Sequence, residues 1–154
     1  MAKTLVAFFS ATGTTKRVAK ALADATGADL AEIVPAQPYS AADLNWRDSS
    51  SRSTVEGNDA LARPELASAP QDLSAYDTIL LGFPIWWYVA PRIIDTWVEA
   101  ADLTGKKVVT WATSGGSSMG ETTSELKALA PAATWVDGKV LHGTADASSW
   151  AKTL

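Results

Sequence analysis

The stretch Ser10-Ala11-Thr12-Gly13-Thr14-Thr15 decides how this chain reads, because it follows the uncharged run Leu5-Val6-Ala7-Phe8-Phe9 and leads straight into a helical pattern. A strand covered on both faces is continuously apolar. The helix after it, over residues 13–25, places Val18, Ala19, Leu22 and Ala23 on one face and meets a stop at Gly27. The order is strand, hydroxyl-rich turn, helix. Such a turn gathers the hydroxyls of Ser10, Thr12, Thr14 and Thr15 beside backbone amides that a first helical turn leaves without acceptors. These groups suit a phosphate monoester. The chain has neither the Gly-Lys-Ser/Thr of a nucleotide P-loop nor a Gly-x-Gly-x-x-Gly turn that would let a pyrophosphate approach.

Working outward, strands and helices alternate. Residues 28–34 read as a second strand that Pro35 ends, and Thr78-Ile79-Leu80-Leu81-Gly82 as a third, with Pro84 beyond it. After Pro91 a helix carries Ile93, Ile94, Trp97, Val98 and Ala101 as its apolar stripe, with Asp95, Glu99 and Asp102 expected to face water. Val108-Val109-Thr110-Trp111-Ala112 is a fourth strand, and residues 121–130 form a short helix stopped by Pro131. Residues 134–136 and 140–141 suggest a fifth strand or a hairpin around Asp137-Gly138, followed by a terminal helix near 146–152. Five strands alternating with helices predict an α/β fold with a parallel sheet covered on both faces. The crossover over residues 36–76 is the least legible part. Its prolines exclude one long helix, leaving short helices at 41–46 and 55–62 as the expectation.

Composition narrows the function classes. A chain of 154 residues that is 47% hydrophobic fits one domain over residues 1–154. A net charge of −4 and a pI near 4.9, with no basic stripe, argue against nucleic acid as a partner. The absence of cysteine excludes disulfides, thiolate metal sites and thiol nucleophiles, so redox chemistry has to come from a bound cofactor. No apolar run reaches the roughly 18 residues of a membrane span, and the N-terminus leads straight into a strand, so the expected location is cytoplasmic.

Three unusual loops follow strands one, three and four. In an open α/β sheet those positions converge on one crevice outside the carboxyl ends of the strands. The second loop, Pro84-Ile85-Trp86-Trp87-Tyr88-Val89-Ala90-Pro91, sets three aromatics in a row, which suits a flat ring system. The third, Thr113-Ser114-Gly115-Gly116-Ser117-Ser118-Met119-Gly120, lets backbone amides come close to a ligand.

With Ser10-x-Thr12-Gly13-x-Thr15, Tyr76-Asp77-x-Ile79-x-Leu81-Gly82-x-Pro84-Ile85-Trp86-Trp87 and Thr113-Ser114-Gly115-Gly116-Ser117, nearly the whole chain resembles a flavodoxin-like FMN protein. The likeness is to the short flavodoxin branch with the Pro-Ile-Trp-Trp signature. The resemblance implies a doubly wound five-stranded sheet in the order 2-1-3-4-5, with FMN at the switch between strands one and three. It also implies that Ser10, Ala11, Thr12, Gly13, Thr14 and Thr15 hold the phosphate. Pro84, Ile85, Trp86, Trp87 and Tyr88 would lie along the flavin, and Thr113, Ser114, Gly115, Gly116 and Ser117 would meet its pyrimidine end.

Three functions fit these residues. The first is an electron-transport flavodoxin whose partner is another redox protein. The second is an FMN-dependent NAD(P)H oxidoreductase reducing quinones or similar small acceptors. The third is a non-redox binding domain on the same scaffold. None requires a catalytic acid or base, since the flavin carries the chemistry. Trp97 and Trp111 read as core, His142 as structural, and Asp43, Glu56 and Asp59 as solvated.

Overall fold

The structure, a computed structural model, describes residues 3–45, 47–59, 61–86, 90–113 and 122–154. Five strands, β1 (Thr4–Phe8), β2 (Asp29–Glu32), β3 (Thr78–Pro84), β4 (Lys107–Thr113) and β5 (Thr134–Val140), form one all-parallel sheet in the order β2-β1-β3-β4-β5. The helices α1 (Thr14–Thr26), α2 (Arg52–Gly57), α3 (Arg92–Ala100) and α4 (Thr122–Leu129) connect them, and α5 (Thr144–Ala151) follows β5.

Side-chain alternation along the inner strands splits the core in two. Leu5, Ala7 and Phe9 from the β1 segment join Ile79, Leu81, Val108 and the α3 residues Ile93, Ile94 and Trp97 in one layer. Val6, Phe8, Leu80, Val109 and Trp111 point the other way, onto Val18 and Leu22 of α1 and Ala147 of α5. Trp97 and Trp111 are core residues, as expected. Among the described residues, no helix is long and apolar enough to cross a membrane.

Of the two readings for residues 134–141, a strand or a hairpin, the strand holds at 134–140, and three other local expectations need correction. The register of β5 against β4 shifts between Thr110 and Trp111, and a Cβ on Gly138 would lie 1.8 Å from the Thr110 carbonyl oxygen. The glycine therefore marks a bulge with close backbone approach, where the sequence suggested a turn. Residues 41–44 form a turn held by Ser40 and Asp43, each accepting the other's amide on its side-chain oxygen, and the helix further along is α2 at Arg52–Gly57. Asp95 is buried, because Arg92 and Arg63 reach it at 3.3 and 3.7 Å. Glu56 is engaged by Arg52 and Tyr39 instead of facing solvent freely.

Candidate functional site

The ends of β1, β3 and β4 stand side by side at the carboxyl edge of the sheet. The loop after β1 is shaped by Gly13, which sits at φ 93°, a left-handed conformation that disfavours side chains with a Cβ. It turns the chain from β1 into α1 so that the Ser10 hydroxyl faces the helix start. Ser10 Oγ accepts hydrogen bonds from the amides of Gly13 (3.0 Å) and Lys16 (3.2 Å), fixing the loop from within. Thr12 and Thr14 expose their side chains at the rim, with hydroxyl oxygens 3.5 Å apart. Thr14 and Thr15 stand in the first helical turn, where amides have no acceptor inside the helix. The Thr15 hydroxyl turns inward and is buried, 2.6 Å from that of Thr113 at the end of β4. One hydroxyl pair therefore ties the first loop to the third strand end of the site.

The β3 loop is fixed to the same edge by the Ile85 amide, which donates to the Thr113 carbonyl at 3.0 Å. Trp86 stands half-buried among aromatic neighbours. Its ring centroid lies 5.9 Å from that of Phe9 and 5.4 Å from that of Tyr39, both edge-on. Two cavities share Thr14, Pro84, Trp86 and Thr113 in their walls. The smaller, about 190 Å³, also touches Ala11, Thr12, Thr15 and Leu44; the larger, about 750 Å³, extends past Arg17 and Val18 to Leu141, His142, Gly143 and Thr144.

The predicted residues Ser10 to Thr15, Pro84, Ile85, Trp86 and Thr113 are thus brought together. Trp87, Tyr88, Ser114, Gly115, Gly116 and Ser117 lie outside the described residues. Sequence reading missed Arg17, Tyr39, Leu44 and the 141–144 segment. Arg17 could have been found from its i+3 spacing to Thr14 on a helix that starts at the nest. His142 and Gly143 follow the end of a strand, so the rule that located the other three loops covers them too. Tyr39 and Leu44 gave no signal, because they arrive from the irregular crossover.

The arrangement offers a rim of hydroxyls and free amides with a guanidinium one turn away, beside a largely uncharged hollow walled by an indole. Such a site can hold a phosphate at one end and a flat apolar ring at the other.

Comparison with known proteins places this geometry. The family model described as Flavodoxin matches residues 3–154. A crystal structure of a candidate flavoprotein from Bacteroides uniformis ATCC 8492 is 48% identical, with a TM-score of 0.93 over 98% of each chain. A second candidate flavoprotein, from Bacteroides eggerthii DSM 20697, is 46% identical, with a TM-score of 0.91 over 99% of this chain and 98% of its own. A flavoprotein from Lactobacillus acidophilus NCFM, solved in complex with FMN, shares the fold at 22% identity, with a TM-score of 0.69 over 97% of this chain and 99% of its own. No curated protein matches the chain.

Proposed function

The chain belongs to the flavodoxin family, and from that premise we propose that it binds FMN at the carboxyl edge of its sheet and acts as an electron-transfer flavoprotein, exchanging electrons with a cytoplasmic redox protein. The observation that carries the proposal is the nest at the start of α1, facing a hollow walled by Trp86.

The donor set fits the cofactor. Ser10 holds the loop open from inside, while the Thr12 and Thr14 hydroxyls and the first-turn amides of Thr14 and Thr15 are placed to donate to phosphate oxygens. Gly13 permits the left-handed turn, at φ 93°, that brings the chain into α1, and Ala11 lines the smaller hollow beside it. Arg17 adds positive charge at the rim. Pro84, Ile85 and Trp86 would lie along the flavin, and Thr113 would meet it from the end of β4. Following the family resemblance, Trp87, Tyr88, Ser114, Gly115, Gly116 and Ser117 would complete that contact. FMN, when bound, supplies the capacity to take up and release one or two electrons. The chain's part is to anchor the phosphate, orient the ring and keep water from the buried side of the flavin.

A second reading, an NAD(P)H-dependent oxidoreductase, draws support from the larger cavity, which runs beyond Trp86 to His142 and Thr144 and could admit a flat organic acceptor. An anaerobic titration of the FMN-loaded protein with NADPH separates the two. Unchanged flavin bands are expected for a carrier that needs a separate reductase; prompt bleaching would make the protein a reductase. Failure to load FMN would overturn both.

A further inference from the structure

The crossover between β2 and β3 sends one side chain into the aromatic group at the site. Tyr39 follows Pro38 and lies edge-on to both Phe9 (centroids 5.7 Å apart) and Trp86 (5.4 Å). The three rings touch pairwise at interplanar angles of 62°, 70° and 89°, the edge-to-face geometry that the ring quadrupoles favour. Phe9 is almost fully buried and cannot move without disturbing the core. Trp86 is half-buried and belongs to a loop, with Tyr39 as its edge-on neighbour.

Tyr39 is itself held by two charged side chains. Its hydroxyl donates to Glu56 Oε1. The guanidinium of Arg52 lies over its ring, 3.9 Å from the centroid. Arg52 in turn donates from Nε to Glu56 Oε2 at 2.9 Å and from Nη1 to the Gln37 carbonyl at 2.7 Å. The helix bearing Glu56 is also anchored: buried Arg92 donates from Nε to the Glu56 carbonyl at 3.3 Å and from Nη2 to the Gly57 carbonyl at 3.1 Å. Burial first, and the bond to Glu56 second, raise the Tyr39 phenol well above its ordinary pKa, so it stays a donor at physiological pH.

We propose that Tyr39 is a positioning residue of the flavin site: clamped by Glu56 and Arg52, it locks the Trp86 indole against Phe9 and so presets the surface on which the flavin ring stacks. This rests on the FMN reading above. A merely structural role would be met by any ring filling the same space, whereas a positioning role requires the hydroxyl that fixes the ring's place.

The test measures FMN dissociation constants and the visible circular dichroism of bound FMN for Tyr39→Phe, Tyr39→Leu and Glu56→Gln, with Tyr76→Phe as control. Tyr76 donates a similar phenol–carboxylate bond, 2.7 Å to Asp29 Oδ2, at the opposite end of the sheet. Tyr39→Leu should weaken FMN binding tenfold or more. Tyr39→Phe and Glu56→Gln should each weaken it severalfold and alter the flavin's dichroism. Tyr76→Phe should leave both readouts unchanged. Unaltered affinity and dichroism in Tyr39→Phe and Glu56→Gln, with the unsubstituted protein binding FMN normally, would overturn the positioning role alone. Equal effects from Tyr76→Phe would overturn it as well, since the response would then be general loosening. Failure of the unsubstituted protein to bind FMN would instead overturn the flavin reading on which the role depends.

Discussion

The contact between Thr15 and Thr113 joins the first turn of α1 to the end of β4, and its energy can be worked out from geometry. The two hydroxyl oxygens are 2.6 Å apart, and the residues are only 2% and 6% exposed, so water cannot substitute for either partner. Thr→Val keeps shape and β-branching while deleting the hydroxyl. A single substitution strands the remaining hydroxyl without its partner, which costs about 1–3 kcal/mol, partly offset by the added methyl. Removing both leaves nothing to strand and can be close to neutral. Thr15→Val and Thr113→Val should therefore each lower stability by about 1–2 kcal/mol, and the double variant should lose no more than one single variant, a coupling of about 1–2 kcal/mol. Urea unfolding of the apoprotein, monitored by far-UV circular dichroism, gives all four free energies. Strict additivity of the two losses would refute the claim that these hydroxyls depend on each other.

Other outcomes follow from the same structure. Gly138→Ala should destabilise the protein by about 3 kcal/mol in urea unfolding, because the new Cβ would meet the Thr110 carbonyl oxygen at 1.8 Å, against backbone that cannot step aside. Burial pushes the Asp95 carboxyl up to about 6, even with Arg92 and Arg63 beside it. The unfolded carboxyl releases its proton near pH 3.9, so the folded form holds a proton that the unfolded form lacks between those values, and stability should fall by about 2 kcal/mol as pH rises from 4 to 6. Asp95→Asn should remove that fall in pH-dependent thermal unfolding. Arg17→Met should weaken FMN severalfold at low salt and much less at 0.5 M salt, measured by quenching of flavin fluorescence, because an exposed guanidinium acts on phosphate through a screened field.

What was legible in the sequence was the part governed by local rules. The inner strands β1, β3 and β4 are covered on both faces, so their apolar runs stand out, and the Ser10–Thr15 turn follows β1 directly. β5 was harder: it is an edge strand exposing Thr134, Val136 and Asp137, and its Gly138 bulge resembles a turn. Asp95 looked like a solvent-facing helix residue because its partners come from elsewhere, with Arg63 in the crossover and Glu125 in α4 reached through Arg92. The crossover concealed most. Its order comes from side chains binding distant carbonyls and rings, as when Arg92 holds the end of α2 and Tyr39 meets Trp86, and no periodicity records such contacts.

The central claim is that this edge of the sheet recognises a flavin by its phosphate. The most direct test compares the dissociation constants of FMN and riboflavin for the apoprotein at fixed salt. Two or more charge-assisted hydrogen bonds from the β1–α1 loop, at about 1.5–3 kcal/mol each, should make FMN bind at least about 100-fold tighter than riboflavin. Equal affinity for the two, or no binding of either, would contradict the account.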